Sequence, residues 1–223
     1  SSDVCSSDLI AAIVITGSEK AFAAGADIKE MKERHFPGVY FNDFIGANWE
    51  TVLEIQKPVI AAVNGLAFGG GFELALAADL IIAAETAEFA LTEVTLGIMA
   101  DSGGVLRLPK RIPLPIAMEL LMTARRLSPD EAARWGLVNK VVPKDHLMQE
   151  ARALASTIAA NAPLALKAIK AVIKATLPLD VKEGYALMRS GAVPAYTKML
   201  KSEDALEGPL AFSEKRKPEW KGR

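Results

Sequence analysis

Apolar positions along the chain follow two rhythms. Residues 10–16 (IAAIVIT) form an unbroken apolar run closed by Gly17. Residues 59–63 form another, opened by Lys57-Pro58 and closed by Asn64-Gly65. Short runs without polar alternation predict strands covered on both faces, as in parallel sheets. Residues 80–83, 89–91 and 138–142 predict shorter strands. Between the first two runs the spacing turns helical. Residues 28–34 and 41–55 predict helices, the second with Phe41, Phe44, Ile45, Trp49, Val52 and Leu53 on one stripe. Another helix, 72–78, starts from Gly69-Gly70-Gly71. Residues 113–123 predict a helix with proline near its start. Ser128-Pro129-Asp130-Glu131 predicts the next, with Ser128 as N-cap and acids at the positive end of the dipole, stopping at Gly136. From about residue 144 strands cease, and helices are expected over 146–160, 163–174, 181–201 and 205–215. The chain therefore divides into an α/β core, 10–143, and a helical region, 144–223.

Residues 1–9 stand apart from both. They are polar, repeat Ser-Ser-Asp, and lead abruptly into the first strand. Val-Cys-Ser-Ser-Asp-Leu is also one reading frame of a common sequencing-adapter end. The expectation is a non-native leader, with the natural N-terminal part missing. Cys5 then belongs to the leader and takes no catalytic role.

Charge and composition narrow the function classes. Over 223 residues, 26 Lys+Arg face 27 Asp+Glu, a formal charge of −1. This lacks the basic surplus of a nucleic-acid binder. With 51% hydrophobic and 24% charged residues, the chain is globular in composition rather than disordered. The longest uncharged apolar run free of Pro and Gly, 10–16, falls far short of the ~20 residues of a spanning helix. A single cysteine excludes an intrachain disulfide and a cysteine-based metal cluster. No secretory signal is readable at the start. The expectation is a soluble cytoplasmic protein with no nucleic-acid partner and no membrane partner.

The chemistry concentrates in two small-residue loops and two glutamates. In Asn64-Gly-Leu-Ala-Phe-Gly-Gly-Gly-Phe-Glu73, a triple glycine lets backbone approach a ligand and frees N–H groups at a helix start, a natural anion site. The Lys-Ser/Thr ending of a phosphate-binding Walker loop is missing. Lys20-Ala-Phe-Ala-Ala-Gly-Ala26-Asp27-Ile28-Lys29 is a second such loop. Two loops of this kind could aim two N–H groups at one oxygen, the geometry of an oxyanion hole. Spacing leaves open whether they meet. Glu73 lies in an apolar helix start, where burial raises a carboxyl toward useful proton transfer; dipole stabilisation is the alternative role. Glu93 follows a strand in Ala90-Leu-Thr-Glu93, and two carboxyls in separate apolar settings suit an acid/base pair. Glu85 and Glu88 read as solvated, and His35 and His146 as surface residues. Ala100-Asp101-Ser102-Gly103-Gly104 has the look of a serine-protease nucleophile turn. The lack of a placed histidine and the α/β pattern make it a helix opening instead.

Together these segments resemble the crotonase, or enoyl-CoA hydratase/isomerase, superfamily. The matching words are residues 20–31 (KAFAAGADIKEM), 57–76 (KPVIAAVNGLAFGGGFELAL), 89–97 (FALTEVTLG), Gly103-Gly104 and Arg107-Leu108. The resemblance covers about residues 10–223. It implies a spiral of ββα units with a C-terminal helical region that builds trimers, commonly paired into hexamers, and a further N-terminal strand-rich stretch ahead of Ile10. It implies oxyanion-hole amides at Ala26 and Gly70, catalytic carboxyls at Glu73 and Glu93, and a CoA-contacting strip at Ala24 and Ala26, Asp27, Ile28 and Lys29. The basic end around Lys215 resembles a segment that a neighbouring subunit lays near the CoA site. The implied reaction is hydration or dehydration of a short-chain enoyl-CoA, with no metal and no cofactor beyond the CoA of the substrate. An isomerase, a thioester hydrolase, or a non-enzymatic acyl-CoA- or RNA-binding member is the alternative.

A narrower resemblance is to the carnitinyl-CoA dehydratase branch, through residues 68–78, 101–110, 133–142 and 202–223. Met99-Ala100 departs from the aliphatic residue and proline of most relatives, and residues 23–29 look more like general short-chain hydratases. Asp101 is a substrate-contact candidate: a carboxylate beside the acyl end would favour a trimethylammonium group such as that of crotonobetainyl-CoA. Its alternative role is a cap on the helix opening near Gly103.

Overall fold

Consecutive strands alternate between two sheets. The computed structural model describes residues 10–18, 20–25, 52 and 54–223. Among these, β1 (Ile13–Thr16), β3 (Val59–Val63), β5 (Leu80–Ala84) and β7 (Lys140–Val142) form a four-stranded sheet in that order. β2 (Ala21–Ala23), β4 (Leu66–Phe68) and β6 (Glu88–Ala90) form a three-stranded one. β3 and β4, and again β5 and β6, lay one strand in the first sheet and one in the second before a helix follows. α1 (Gly70–Ala77) follows β4, and α2 (Gly104–Arg111) follows β6 after a 3₁₀ turn, Glu93–Leu96. This is the spiral of ββα units that the resemblance implies. Ladders β3·β5, β5·β7, β2·β4 and β4·β6 are all parallel, with Ile60 opposite Leu80 and Leu66 opposite Glu88.

The described residues form two compact units, one made of those within 14–55 together with Val59–Leu154, the other of residues 10–13 with Gln56–Pro58 and Ala155–Arg223. In the first unit every residue of β3 is buried, because sheet and helices cover both faces. Phe72 and Phe89 meet at 5.1 Å between ring centres, tilted by 50°, and both are fully buried. Each such ring contributes roughly 1.5–3 kcal/mol from water exclusion. They fix α1 against β6 and so fix the two segments that carry Glu73 and Glu93. α3 (Leu114–Thr123) packs on α2, and α4 (Pro129–Arg134) begins at its Ser128 N-cap, whose Oγ accepts the Glu131 amide at 3.2 Å. α5 (Leu147–Ala159) follows β7.

In the second unit α6 (Pro163–Thr176) packs against α7 (Val181–Arg189) and α8 (Pro194–Leu200), and α8 against α9 (Glu203–Ser213). A buried Asp204 accepts the amides of Lys221 at 2.7 Å and Gly222 at 3.0 Å, tying the last residues back onto α9. Trp220 donates from its indole to the Ala160 carbonyl at 2.8 Å. No single described helix is long and apolar enough to cross a membrane.

Several expectations need correction. Residues 21–23 and 66–68, read as loop, are strands; three-residue strands are too short to show a rhythm. The single helix expected over 181–201 is two, α7 and α8, broken where Gly191 adopts φ 80° and Pro194 starts a new first turn. The triple-glycine helix starts at Gly70 rather than Phe72. The last helix starts at Glu203, capped by the Ser202 hydroxyl, two residues before its expected start. Glu88 is not simply solvated, since it pairs with Arg126 at 2.7 Å. The leader with Cys5, the helix over 28–34, most of that over 41–55, and His35 lie outside the described residues. His146 is exposed.

Candidate active site

The site grows from the end of β4. There the chain must turn sharply into α1, and Gly69 takes φ 53° and ψ −127°, a conformation closed to residues with a side chain. Its amide donates to the Ala90 carbonyl at 2.8 Å. Its carbonyl accepts the Phe72 and Glu73 amides at 2.8 and 3.0 Å. The first-turn amide of Gly70 is left with no acceptor among the described residues, at the positive end of α1. A methyl group on Gly25 would lie 3.3 Å from that Gly70 nitrogen and 3.1 Å from the Phe68 carbonyl oxygen. The two small-residue loops therefore do meet, which spacing left open. Ala24 and Gly25 belong to the described part of the first loop, whereas Ala26, Asp27, Ile28 and Lys29 lie outside it.

Glu73 sits one turn into α1, where the helix buries it to 2% exposure. Its Oε1 accepts the Gly104 amide at 2.7 Å. Burial pushes the carboxyl from its ordinary 4.5 to about 7; the Gly104 hydrogen bond pulls it down, Glu93 and Asp101 push it up, and Arg107 pulls it down. Glu93 opens the 3₁₀ turn after β6. Its Oε1 lies 2.9 Å from where a methyl on Gly69 would stand, so its carboxyl reaches over the same turn that frees the Gly70 amide. Its other oxygen, Oε2, is buried without a hydrogen-bond partner among the described residues. Burial raises this carboxyl too; its own backbone amide opposes the rise and Asp101 adds to it. Two glutamates 20 residues apart in sequence thus flank one glycine turn, both held toward the neutral form.

Beside them lies a cavity of about 310 Å³. Leu91, Met99, Val105, Pro109, Met118 and Met122 line it, and Glu93 is the one ionisable side chain among the described residues of its wall. Asp101 is outside this wall and exposed, in the turn before α2. It does not cap that helix: Gly103 is the N-cap, with no side-chain cap bond. Its charge nevertheless acts on both glutamates. Ser102 contributes its carbonyl, not its hydroxyl, to the local bonding. A larger cavity, about 440 Å³, lies in the helical unit, where Arg216 pairs with Glu207 and Lys221 with Glu203. Lys215 lies past the end of α9 with φ 55°, exposed.

Sequence reasoning missed two parts of the site. Gly104 was visible as a matching word without a role, and its role depends on a contact across 31 residues. The methionine-lined cavity is assembled from α2, α3 and the turn after β6, so no single stretch announces it.

The sequence matches the enoyl-CoA hydratase/isomerase family over residues 3–223. It is 56% identical over 211 residues to the carnitinyl-CoA dehydratase of Proteus mirabilis (strain HI4320), covering 94% of this chain and 81% of that protein. It is 54% identical over 216 residues to the carnitinyl-CoA dehydratase of Salmonella typhi, covering 97% and 83%. The crystal structure of enoyl-CoA hydratase from Bacillus anthracis has a TM-score of 0.90 to this chain at 40% identity, over 100% of this chain and 85% of that one. With this match along nearly its whole length, the chain belongs to the enoyl-CoA hydratase/isomerase family.

Proposed function

We propose that this protein is a hydro-lyase that adds or removes water across the 2,3-double bond of a short-chain enoyl-CoA thioester, with crotonobetainyl-CoA and carnitinyl-CoA as its substrate pair. The observation that carries the reading is the pair of carboxyls, Glu73 and Glu93, flanking the turn that frees the Gly70 amide. The two relatives named carnitinyl-CoA dehydratase support the acyl group.

The chemistry follows from the arrangement. The thioester oxygen sits between the amides of Gly70 and Ala26. Two carboxyls pushed up by burial favour a state in which one is ionised and the other holds a proton. The ionised one takes a proton from water as the water oxygen bonds to C3. The π pair moves toward the thioester oxygen, where the two amides stabilise the enolate charge. The protonated carboxyl then delivers its proton to C2. Losing one oxyanion donor typically costs about 10²–10³ in rate. Ala24, Asp27, Ile28 and Lys29 line the CoA path, and the apolar cavity beside Glu93 receives the acyl end. The reading carries with it a homotrimer or hexamer in the cytoplasm, with Lys215 serving a neighbour's CoA site. CoA enters as part of the substrate, and no other cofactor or metal takes part.

Incubation with crotonyl-CoA and with crotonobetainyl-CoA, following the enoyl thioester absorbance and the product mass, tests this. Loss of absorbance with gain of one water is expected, faster for crotonobetainyl-CoA. An unchanged mass with a shifted double bond would make the protein an isomerase. Release of free CoA thiol would make it a hydrolase. Binding without turnover would leave an acyl-CoA-binding protein.

A further inference from the structure

Glu73 owes its hydrogen-bond partner to a turn that something else must hold. Gly104 donates to Glu73 Oε1 at 2.7 Å, and Gly104 begins α2. The two residues before it, Ser102 and Gly103, carry no side-chain cap for that helix. The clamp comes from one turn further on. Arg107 donates from Nη1 to the Ser102 carbonyl at 2.9 Å, and its backbone amide donates to the Gly103 carbonyl at 2.8 Å. Its guanidinium lies over Gly103 so closely that a methyl group there would collide with Nη1. Gly103, at φ 113°, leaves that space free. The guanidinium thus ties the Ser102 carbonyl while the ordinary helical bond of the Arg107 amide holds the next carbonyl, Gly103, and the side chain's charge lies within electrostatic reach of Glu73.

We propose that Arg107 is a positioning residue for Glu73: it holds the Ser102–Gly104 turn so that the Gly104 amide stays aimed at the carboxyl, and among the described residues it supplies the positive charge facing that carboxyl. This rests on the reading of Glu73 as a working acid–base group. Among the described residues, the charged groups that face Glu73 are Glu93 and Asp101, both acidic, and Arg107. Without the guanidinium, Glu93 and Asp101 would act on Glu73 with no opposing charge among the described residues. An opposite charge nearby typically holds a carboxyl down by about 1–3 pH units when within ~4–6 Å, and by less at longer range. Arg107 itself is half-buried, which weakens its hold on its proton, and Glu73 restores part of it. The coupling is therefore mutual.

The test uses the full chain carrying ¹³C-labelled glutamate carboxyls, with the Glu73 signal assigned by its loss in Glu73→Gln. In Arg107→Gln the Glu73 midpoint should rise by about half a unit or more, and the Glu73-governed limb of the kcat/KM profile for crotonyl-CoA should move with it. Arg107→Lys should restore the midpoint, because the charge returns. It should still speed hydrogen exchange at the Gly104 amide by about tenfold, because a single ammonium cannot both reach Ser102 and cover Gly103. An unmoved Glu73 midpoint in Arg107→Gln would overturn the proposal. If that variant does not fold, unchanged Gly104 exchange in Arg107→Lys would overturn it instead. Both resonance measurements need no substrate. If the wild type hydrates neither thioester the proposed function falls, while the Arg107 assignment is still decided by titration and exchange.

Discussion

Replacing Glu73 by glutamine separates the carboxyl's charge from its shape. The amide oxygen can still accept the Gly104 N–H that Oε1 accepts at 2.7 Å. What disappears is ionisation. In the folded protein the carboxyl is held at about 7, against an ordinary 4.5. A raised carboxyl binds its proton more tightly in the folded state than in the unfolded one. The stability this gives is therefore complete below about pH 4.5 and is lost as pH rises through 7. At about 1.4 kcal/mol per tenfold change in proton affinity, full ionisation costs the fold about 3 kcal/mol. Glutamine escapes that cost. The stability of Glu73→Gln relative to wild type should therefore climb by about 3 kcal/mol between pH 4 and pH 8.5. Any cost of seating the extra amide N–H is the same at every pH, so the slope carries the result. Urea unfolding followed by circular dichroism at a series of pH values measures it. A difference that stays flat across this range would refute the burial argument, and so would one that falls. The same variant should bind CoA esters yet lose turnover.

Glu93→Gln should lower hydration by about 10²-fold or more, with CoA-ester affinity unchanged, because the amide keeps the shape but exchanges no proton; activity within about threefold of wild type would reject the role. Gly69→Ala places a methyl 2.9 Å from Glu93 Oε1 on a backbone closed to alanine, and should cost about 1–3 kcal/mol in stability together with a large loss of kcat; wild-type kcat in the folded variant would refute it. Asp101→Asn should cut kcat/KM for crotonobetainyl-CoA about fivefold, the size of one water-exposed charge pair, while sparing crotonyl-CoA; equal effects on both substrates would retire the selector role.

Comparison of sequence and structure shows which signals carry over distance. The apolar run at 59–63 does become an interior strand buried on both faces, which needs no partner-specific information; the run at 10–16 becomes β1 at the edge of the described sheet, half-buried rather than covered on both faces. β2 and β4 escape notice, since three residues cannot establish a rhythm and their strand character comes from pairing with each other and with β6. In the helical unit the apolar stripe continues through residues 181–201, yet Gly191 and Pro194, both plain in the sequence, outweigh it. The site shows the same divide. Glu73, Glu93 and the glycine turn are legible from residue type, because buried acids beside freed amides are chemically unusual. Gly104 and Arg107 are ordinary residues made important by contacts, and contacts across a fold leave no local trace. Asp101 was open to two roles; the structure removes the cap, since Gly103 holds that position.

The alternation of strands between two sheets has a further consequence, for how the molecule folds. Ile60 pairs with Leu80, and Leu66 with Glu88, partners only 20 and 22 residues apart. Later pairings reach further, as Ile82 does to Lys140. Short loops close at lower entropic cost and sooner. The segment from β3 to β6 can therefore assemble as a kinetic nucleus, with the Phe72–Phe89 contact inside it. That segment also carries Gly69, Gly70 and Glu73. The reactive turn is thus made in a piece of chain with short-range pairing, and native-state hydrogen exchange should find its bonded amides, Gly69, Phe72 and Glu73, among the slow ones of the α/β unit, while Gly70, whose amide has no acceptor among the described residues, exchanges faster.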